Sequence, residues 1–144
     1  MMKKKGVEKL FRLAYIDAMT GVLNRNAYEE RLKKLRKPTA NLKDIYIVSI
    51  KLSSLKEINK TYGRRTGDEA IRIVAELLKV CFDENTYIYR ISGNEFICIA
   101  EKDIRAYIAE LRDDIGFKWC DVPYNLDVSM GYASYDNSFD GTRL

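Results

Sequence analysis

Histidine is absent from the 144 residues. That excludes a His general base, a His-containing triad and a His metal site, so any bound metal would be a hard cation on oxygen ligands. Cysteine is scarce. Cys81, Cys98 and Cys120 sit in apolar or mixed surroundings with no metal-type spacing, which predicts reduced thiols in a cytoplasmic protein. No apolar run approaches bilayer length and no secretory signal pattern occurs, so direct membrane insertion is not expected. Charge bias is weak as well. The 25 Lys and Arg residues against 21 Asp and Glu leave a net charge of +4, with the acids spread among the bases. The basic stripe of a nucleic-acid binder is missing, as are internal repeats and low-complexity tracts.

What is there amounts to one domain's worth of chain, long enough to bury a core. Residues 3 to 16 read as a basic amphipathic helix, with Val7, Leu10, Phe11, Ala14 and Tyr15 at helical spacing. Such a helix suits packing on the domain or on a partner copy, or the tail of a linker from an upstream sensor. A turn-rich stretch from Asp17 to Arg25 precedes a helix from Asn26 to Arg36, which presents Tyr28, Leu32 and Leu35 on one face and stops before Pro38. Ile45 to Ile50 is continuously apolar and predicts a central strand buried on both faces. A short helical segment, Leu55 to Tyr62, ends at Gly63 as a C-cap.

Thr66-Gly67-Asp68-Glu69 opens the next helix in this reading, with Thr66 and Glu69 as a capping box. Ala70, Val74, Leu77, Leu78 and Cys81 form its apolar stripe. A further helix spans Asp103 to Ile115, aligning Ile104, Ile108, Leu111 and Ile115. Tyr124, Leu126, Val128, Met130 and Tyr132 alternate with polar or small residues, the pattern of a strand with one buried face. The order is strand, helix pair, hairpin, helix, strand. It implies an α+β layer fold with a mostly antiparallel sheet.

The hairpin carries the most information. Tyr87 to Ile91 and Phe96 to Ala100 are apolar runs joined by Ser92-Gly93-Asn94-Glu95, a tight polar turn with a carboxylate at its tip. This segment resembles the signature of the GGDEF domains, the diguanylate cyclases, with Ser92 in place of the first Gly and Asn94 in place of an acid. Four other segments follow the same family in order. Asp17-Ala18-Met19-Thr20-Gly21-Val22-Leu23-Asn24-Arg25 resembles its opening motif, and the run from Lys51 through Lys56 and Asn59 to Gly63 resembles its Asp-x-Asp-x-Phe-Lys-x-Ile-Asn segment. Gly67-Asp68 and Val128-Ser129-Met130-Gly131 match further positions. Four ordered matches are far more specific than one five-residue motif.

The resemblance implies a palm-like, nucleotidyl cyclase or ferredoxin-like sheet, antiparallel-rich with helices packed on it. It implies GTP near the hairpin, and two divalent ions that help two copies join their GTP into cyclic di-GMP. It also implies a last helix with an Ala-Asp-x-x-x-Tyr-x-x-Lys pattern, which this sequence does not contain. Residues 1–16 are then a linker or signalling helix, and 17–144 a GGDEF-like domain cut short at its C-terminus.

The sequence departs from the family at the metal positions. Lys51 and Ser53 stand where the resemblance implies Asp, and Asn94 where it implies a liganding acid; only Glu95 remains as a candidate catalytic acid. An ammonium ~4 Å from a unit positive charge is repelled by about 4 kcal/mol at an effective dielectric of about 20, and a divalent ion roughly twice as strongly. The expectation is therefore no metal site, and Mg²⁺ only with residual activity. Asn59 and Asp68 match guanine-recognising positions and Lys56 a basic residue near the phosphates; Lys51, Ser92, Gly93 and Asn94 complete the candidate nucleotide site. At the family's product-inhibition motif the matching positions are Asp83 and Thr86, so an acid replaces the Arg there.

The reading is a degenerate, catalytically inactive GGDEF domain. It would act as a regulatory or dimerisation module in cyclic-dinucleotide signalling, binding GTP or another purine nucleotide and pairing with itself or another signalling domain. The alternative is a weak diguanylate cyclase or a slow nucleotide hydrolase.

Overall fold

β-Branched and aromatic residues crowd Tyr46–Leu52, and they form the strand β1 around which the sheet is built. The computed structural model describes residues 2–38, 40–105, 108–109, 112 and 122–135. Within them the chain forms helices α1 (Met2–Tyr15), α2 (Arg25–Leu35), α3 (Leu55–Tyr62) and α4 (Arg64–Cys81), and strands β1, β2 (Thr86–Ser92), β3 (Glu95–Ala100) and β4 (Val128–Ser134). The four strands run in the order β2-β3-β1-β4, and every pair is antiparallel. β1 is interior, so both its edges are paired; helices cover both its faces, and Ile47, Val48, Ile50 and Leu52 are fully buried. This is the α+β architecture that the sequence predicts.

Alternation along β1 assigns the two faces. Ile47 packs with Ile97, Ile99 and Tyr89 against Tyr28, Leu32 and Leu35 of α2. Val48, Ile50 and Leu52 pack with Phe96 and Cys98 against Ala70, Ile71, Val74 and Leu78 of α4 and Ile58 of α3. Burying each large apolar side chain stabilises the fold by roughly 1.5–3 kcal/mol relative to exposing it. Helix α2 starts where Asn24 accepts a hydrogen bond from the Ala27 amide at 3.0 Å, the usual role of an Asn N-cap.

Three local expectations need correction. Helix α4 begins at Arg64 rather than at a Thr66 cap, and no side chain caps it. Gly63, at φ +92°, adopts a backbone conformation that suits only glycine. It ends α3 and starts α4 in one residue, which leaves Thr66 inside the first turn and Glu69 without a capping role. β4 begins at Val128 rather than Tyr124, because the preceding residues are tied to the end of β1. The Ser53 amide donates to the Asp127 carbonyl at 2.7 Å, and the Ser54 hydroxyl donates to the Asn125 carbonyl at 2.6 Å. Tyr132 is exposed, so the alternation breaks where β4 forms the edge of the sheet. Of the helix expected from Asp103 to Ile115, helical backbone is described at Ile108, Ala109 and Arg112; Leu111 and Ile115 lie outside the described residues, as does Cys120.

Helix α1 leaves much of its apolar surface uncovered. Val7, Leu10, Phe11 and Leu13 are exposed. Its C-terminal end is secured, since the Ala14 carbonyl accepts from the side-chain amides of Asn24 and Asn26, each at 3.0 Å.

Candidate functional site

The hairpin turn is held from three sides. Asn94 bridges to β1 twice: its side-chain amide donates to the Leu52 carbonyl at 3.0 Å, and its own carbonyl accepts from the Leu52 amide at 2.9 Å. Arg90 donates to the Gly93 carbonyl at 3.0 Å and pairs with Asp17 at 3.2 Å. Arg25 donates to the Ile91 carbonyl at 3.2 Å. Asp17 also accepts from the amide and hydroxyl of Thr20, at 3.0 and 2.7 Å. The turn-rich opening motif therefore clamps the hairpin onto the end of α1. The motif's resemblance to the GGDEF domains gives Asp17 no partner. Nothing in the linear order points to one, because the partner is 73 residues away.

At the end of β1, Lys51 lies directly opposite Glu95 of β3 and Ser129 of β4. Residues opposed across antiparallel strands project to the same face, so the three share one face with Ser92, which is opposite Glu95 in β2. Glu95 accepts from the Ser92 hydroxyl at 3.1 Å. The hydroxyls of Ser53 and Ser129 are 3.1 Å apart. Lys51 is exposed, and its ammonium enters none of the seven ion pairs found among the described residues. The result is a polar strip of hydroxyls with one carboxylate and one cation. Among the described residues no three Asp, Glu, Cys or His side chains gather as a metal cage.

The chain runs from Lys51 through Ser53 and Ser54 into α3, which carries Lys56 and Asn59. Lys56 is exposed in the first turn of α3, and Ser54, engaged with Asn125, does not cap that helix. Asn59 faces α4, its Oδ1 buried and without a hydrogen-bond partner. A Cβ on Gly67 would lie 1.6 Å from that atom, so only glycine lets α4 approach Asn59 this closely. The place of Gly67 in a helix-opening motif gives no sign of this packing role, which depends on a partner helix. Asp68, the next residue, lies 3.9 Å from Arg64 in a largely exposed i,i+4 pair, a contact worth little by itself. The structure thus brings Ser92, Asn94, Glu95 and Lys51 together at one end of the sheet, and Asn59 and Asp68 together at the α3–α4 contact.

Asp83 is committed elsewhere. It pairs with Lys102 and accepts from the Asn85 amide at 3.0 Å. The Lys102 ammonium, helped by that amide, holds its carboxyl below the usual range. Thr86 is buried at the start of β2. Burial alone pushes the Cys98 thiol far up, which makes it an inert core residue.

The family described as Diguanylate cyclase, GGDEF domain matches residues 14–142. Among curated proteins, the chain is 33% identical over 141 residues, 90% of its length, to the cyclic di-GMP phosphodiesterase PdeB of Shewanella oneidensis. It is 27% identical over 124 residues, 81% of its length, to a diguanylate cyclase of Vibrio cholerae. It spans only 16% and 37% of those two proteins. Among solved structures, the coiled coil and GGDEF domain of DgcB from Caulobacter crescentus, in complex with c-di-GMP, superimposes with a TM-score of 0.80 at 22% identity, covering 98% of this chain and 80% of that one. That likeness concerns the fold.

Proposed function

The chain belongs to the diguanylate cyclase GGDEF-domain family, and from that premise we propose that it is a degenerate member: a catalytically inactive regulatory and dimerisation module of cyclic-dinucleotide signalling that still binds GTP or another purine nucleotide. Its setting in this reading is the bacterial cytoplasm; among the described residues no helix is long and apolar enough to cross a membrane. Residues 1–16 are its signalling helix and 17–144 its domain.

The observation that carries the proposal is the donor set at the end of β1. Two divalent cations need several oxygen anions. Here an ammonium, Lys51, faces the one remaining carboxylate, Glu95, and the Asn94 amide is spent on the Leu52 carbonyl. The residues present do not fit a two-metal centre. What remains suits binding. Asn59, packed beside Gly67, and the neighbouring Asp68 supply an amide and a carboxylate for the polar edge of a purine, while Lys56 and Lys51 supply positive charge for phosphates. Self-association is supported by the uncovered apolar residues of α1.

The experiment is direct. Purified protein incubated with GTP and Mg²⁺ or Mn²⁺ is expected to form no cyclic di-GMP, whereas calorimetry is expected to detect GTP binding that weakens in Asn59→Ala and Asp68→Ala. Product formation that disappears in Glu95→Gln would show an active enzyme and end the proposal of inactivity. Affinity unchanged in both binding variants would remove the purine assignment.

A further inference from the structure

We infer that Lys51 takes the place of the missing divalent cation, so that the nucleotide is bound as its metal-free form and Mg²⁺ competes with binding rather than supporting it. This rests on the nucleotide-binding reading above and concerns how the same site handles phosphate charge.

Three observations carry the inference. First, position 51 is where the family resemblance implies a metal-binding Asp, and an ammonium now occupies it. The change replaces an anion that attracts a cation by a cation that repels one. Second, Lys51 is not consumed by the fold. It is exposed and makes no ion pair among the described residues, although Glu95 is its direct cross-strand neighbour. Glu95 accepts instead from Ser92. Third, apart from Glu95, what surrounds the ammonium is neutral and rich in hydroxyls. Ser129 is opposite it in β4, Ser53 is two residues on in hydrogen-bonding distance of Ser129, and Ser92 lies across the sheet beside Glu95. Hydroxyls and an ammonium donate to phosphate oxygens, whereas a hard divalent cation needs carboxylates or carbonyls in number. The single carboxylate in the strip works against a polyphosphate, so the ammonium is also what makes the place neutral enough for one to enter.

The chemistry fixes the sign of the metal effect. Free GTP brings its full negative charge to Lys51. The Mg²⁺ complex brings less charge and carries a cation that Lys51 repels. Removing Mg²⁺ is therefore expected to leave affinity unchanged or to raise it, the opposite of a metal-dependent nucleotide site.

The test is calorimetric titration of the whole chain with GTP, once in excess Mg²⁺ and once in EDTA. The expected result is binding in EDTA at least as tight as in Mg²⁺. Lys51→Met should weaken the EDTA titration by about 10–100-fold, the range for losing one charge-assisted hydrogen bond, and Lys51→Arg should keep most of the affinity. Lys51→Asp should lose binding in EDTA and regain part of it with Mn²⁺. Binding seen only with Mg²⁺, or binding in EDTA that Lys51→Met leaves unchanged, overturns the inference while the nucleotide-binding reading stands. No GTP binding in either buffer removes both. Lys51 is exposed on the sheet, and circular dichroism of each variant confirms that it is folded.

Discussion

The guanidinium of Arg90 lies 3.2 Å from the carboxylate of Asp17 across 73 residues of sequence. Both side chains are largely buried. Arg90 also holds the Gly93 carbonyl, and Asp17 also holds Thr20. One ion pair thus connects the segment that follows α1 with the tip of the hairpin. Its Nε is buried without a partner, which is a cost the remaining contacts offset.

Arg90→Met should therefore destabilise the domain by about 2–4 kcal/mol, since removing one partner strands a mostly buried carboxylate. Asp17→Asn should cost less, because an amide oxygen can still accept from Thr20. In a double-mutant cycle read by urea denaturation, the two changes should couple by at least about 0.5 kcal/mol. Strict additivity would mean that the pair is incidental.

Gly67→Ala tests the α3–α4 contact. Its Cβ would lie 1.6 Å from Asn59 Oδ1 and 2.7 Å from Asn59 Cγ, so the Asn59 side chain must swing away or the helices must part. Stability is expected to fall by about 1–3 kcal/mol. GTP affinity should fall about tenfold with the loss of one hydrogen bond. A variant that binds GTP as the parent does would show that Asn59 does not contact the base.

Asn94→Asp restores the acid that the family resemblance implies, yet it should not restore a metal site. The Asn94 amide donates to the Leu52 carbonyl, and a carboxylate there would face that carbonyl with no proton to share. A loss of about 1–3 kcal/mol is expected, with no Mn²⁺ binding by calorimetry while Lys51 remains. Tight Mn²⁺ binding by this single variant would contradict the role given to Lys51.

Alkaline pH should weaken the fold. Burial, as the largest cause, pushes the Tyr89 hydroxyl up to about 12, and burial raises Tyr28 in the same direction. A raised folded-state value favours the protonated form, so this stability is fully present below the unfolded value near 10. It is lost as pH rises from there through about 12. The loss from Tyr89 amounts to roughly 2–3 kcal/mol over that window. The urea midpoint should hold steady up to about pH 8, where the Cys98 thiol, raised by burial in the fold, begins to ionise in the unfolded chain, and then fall; Tyr89→Phe should make the fall above about pH 10 shallower. A midpoint that is flat to pH 12 in the parent chain would refute it.

The exposed apolar residues of α1 should govern self-association. Val7→Glu combined with Leu10→Glu removes two of them and touches no residue of the candidate site. The double variant is expected to sediment as a smaller species than the parent at equal concentration, with unchanged helicity. Identical sedimentation would place any dimer contact elsewhere.

Much of this was legible because it is local. The buried stripe of α4, the β-branched run of β1 and the Ser-Gly-Asn turn each depend on residues close in sequence, and periodicity or turn chemistry specifies them. The departures arose where a neighbour intervened. Gly63 let α4 begin at Arg64 instead of at a Thr66 cap, and the ties of Ser53 and Ser54 to residues 125–127 delayed β4 to Val128. At the candidate site, residue types alone showed that Lys51, Ser53 and Asn94 supply no metal-binding charge.

The sequence by itself determined the α+β layering and the chemical character of the site, because hydrophobic spacing and side-chain charge are properties of the residues themselves. Only the tertiary structure decided that Lys51 faces Glu95, that Asn94 is bound to Leu52, that Gly67 admits Asn59 and that Asp17 grips Arg90. These are pairings between distant segments, set by strand register and helix packing, and no local preference of the chain encodes them.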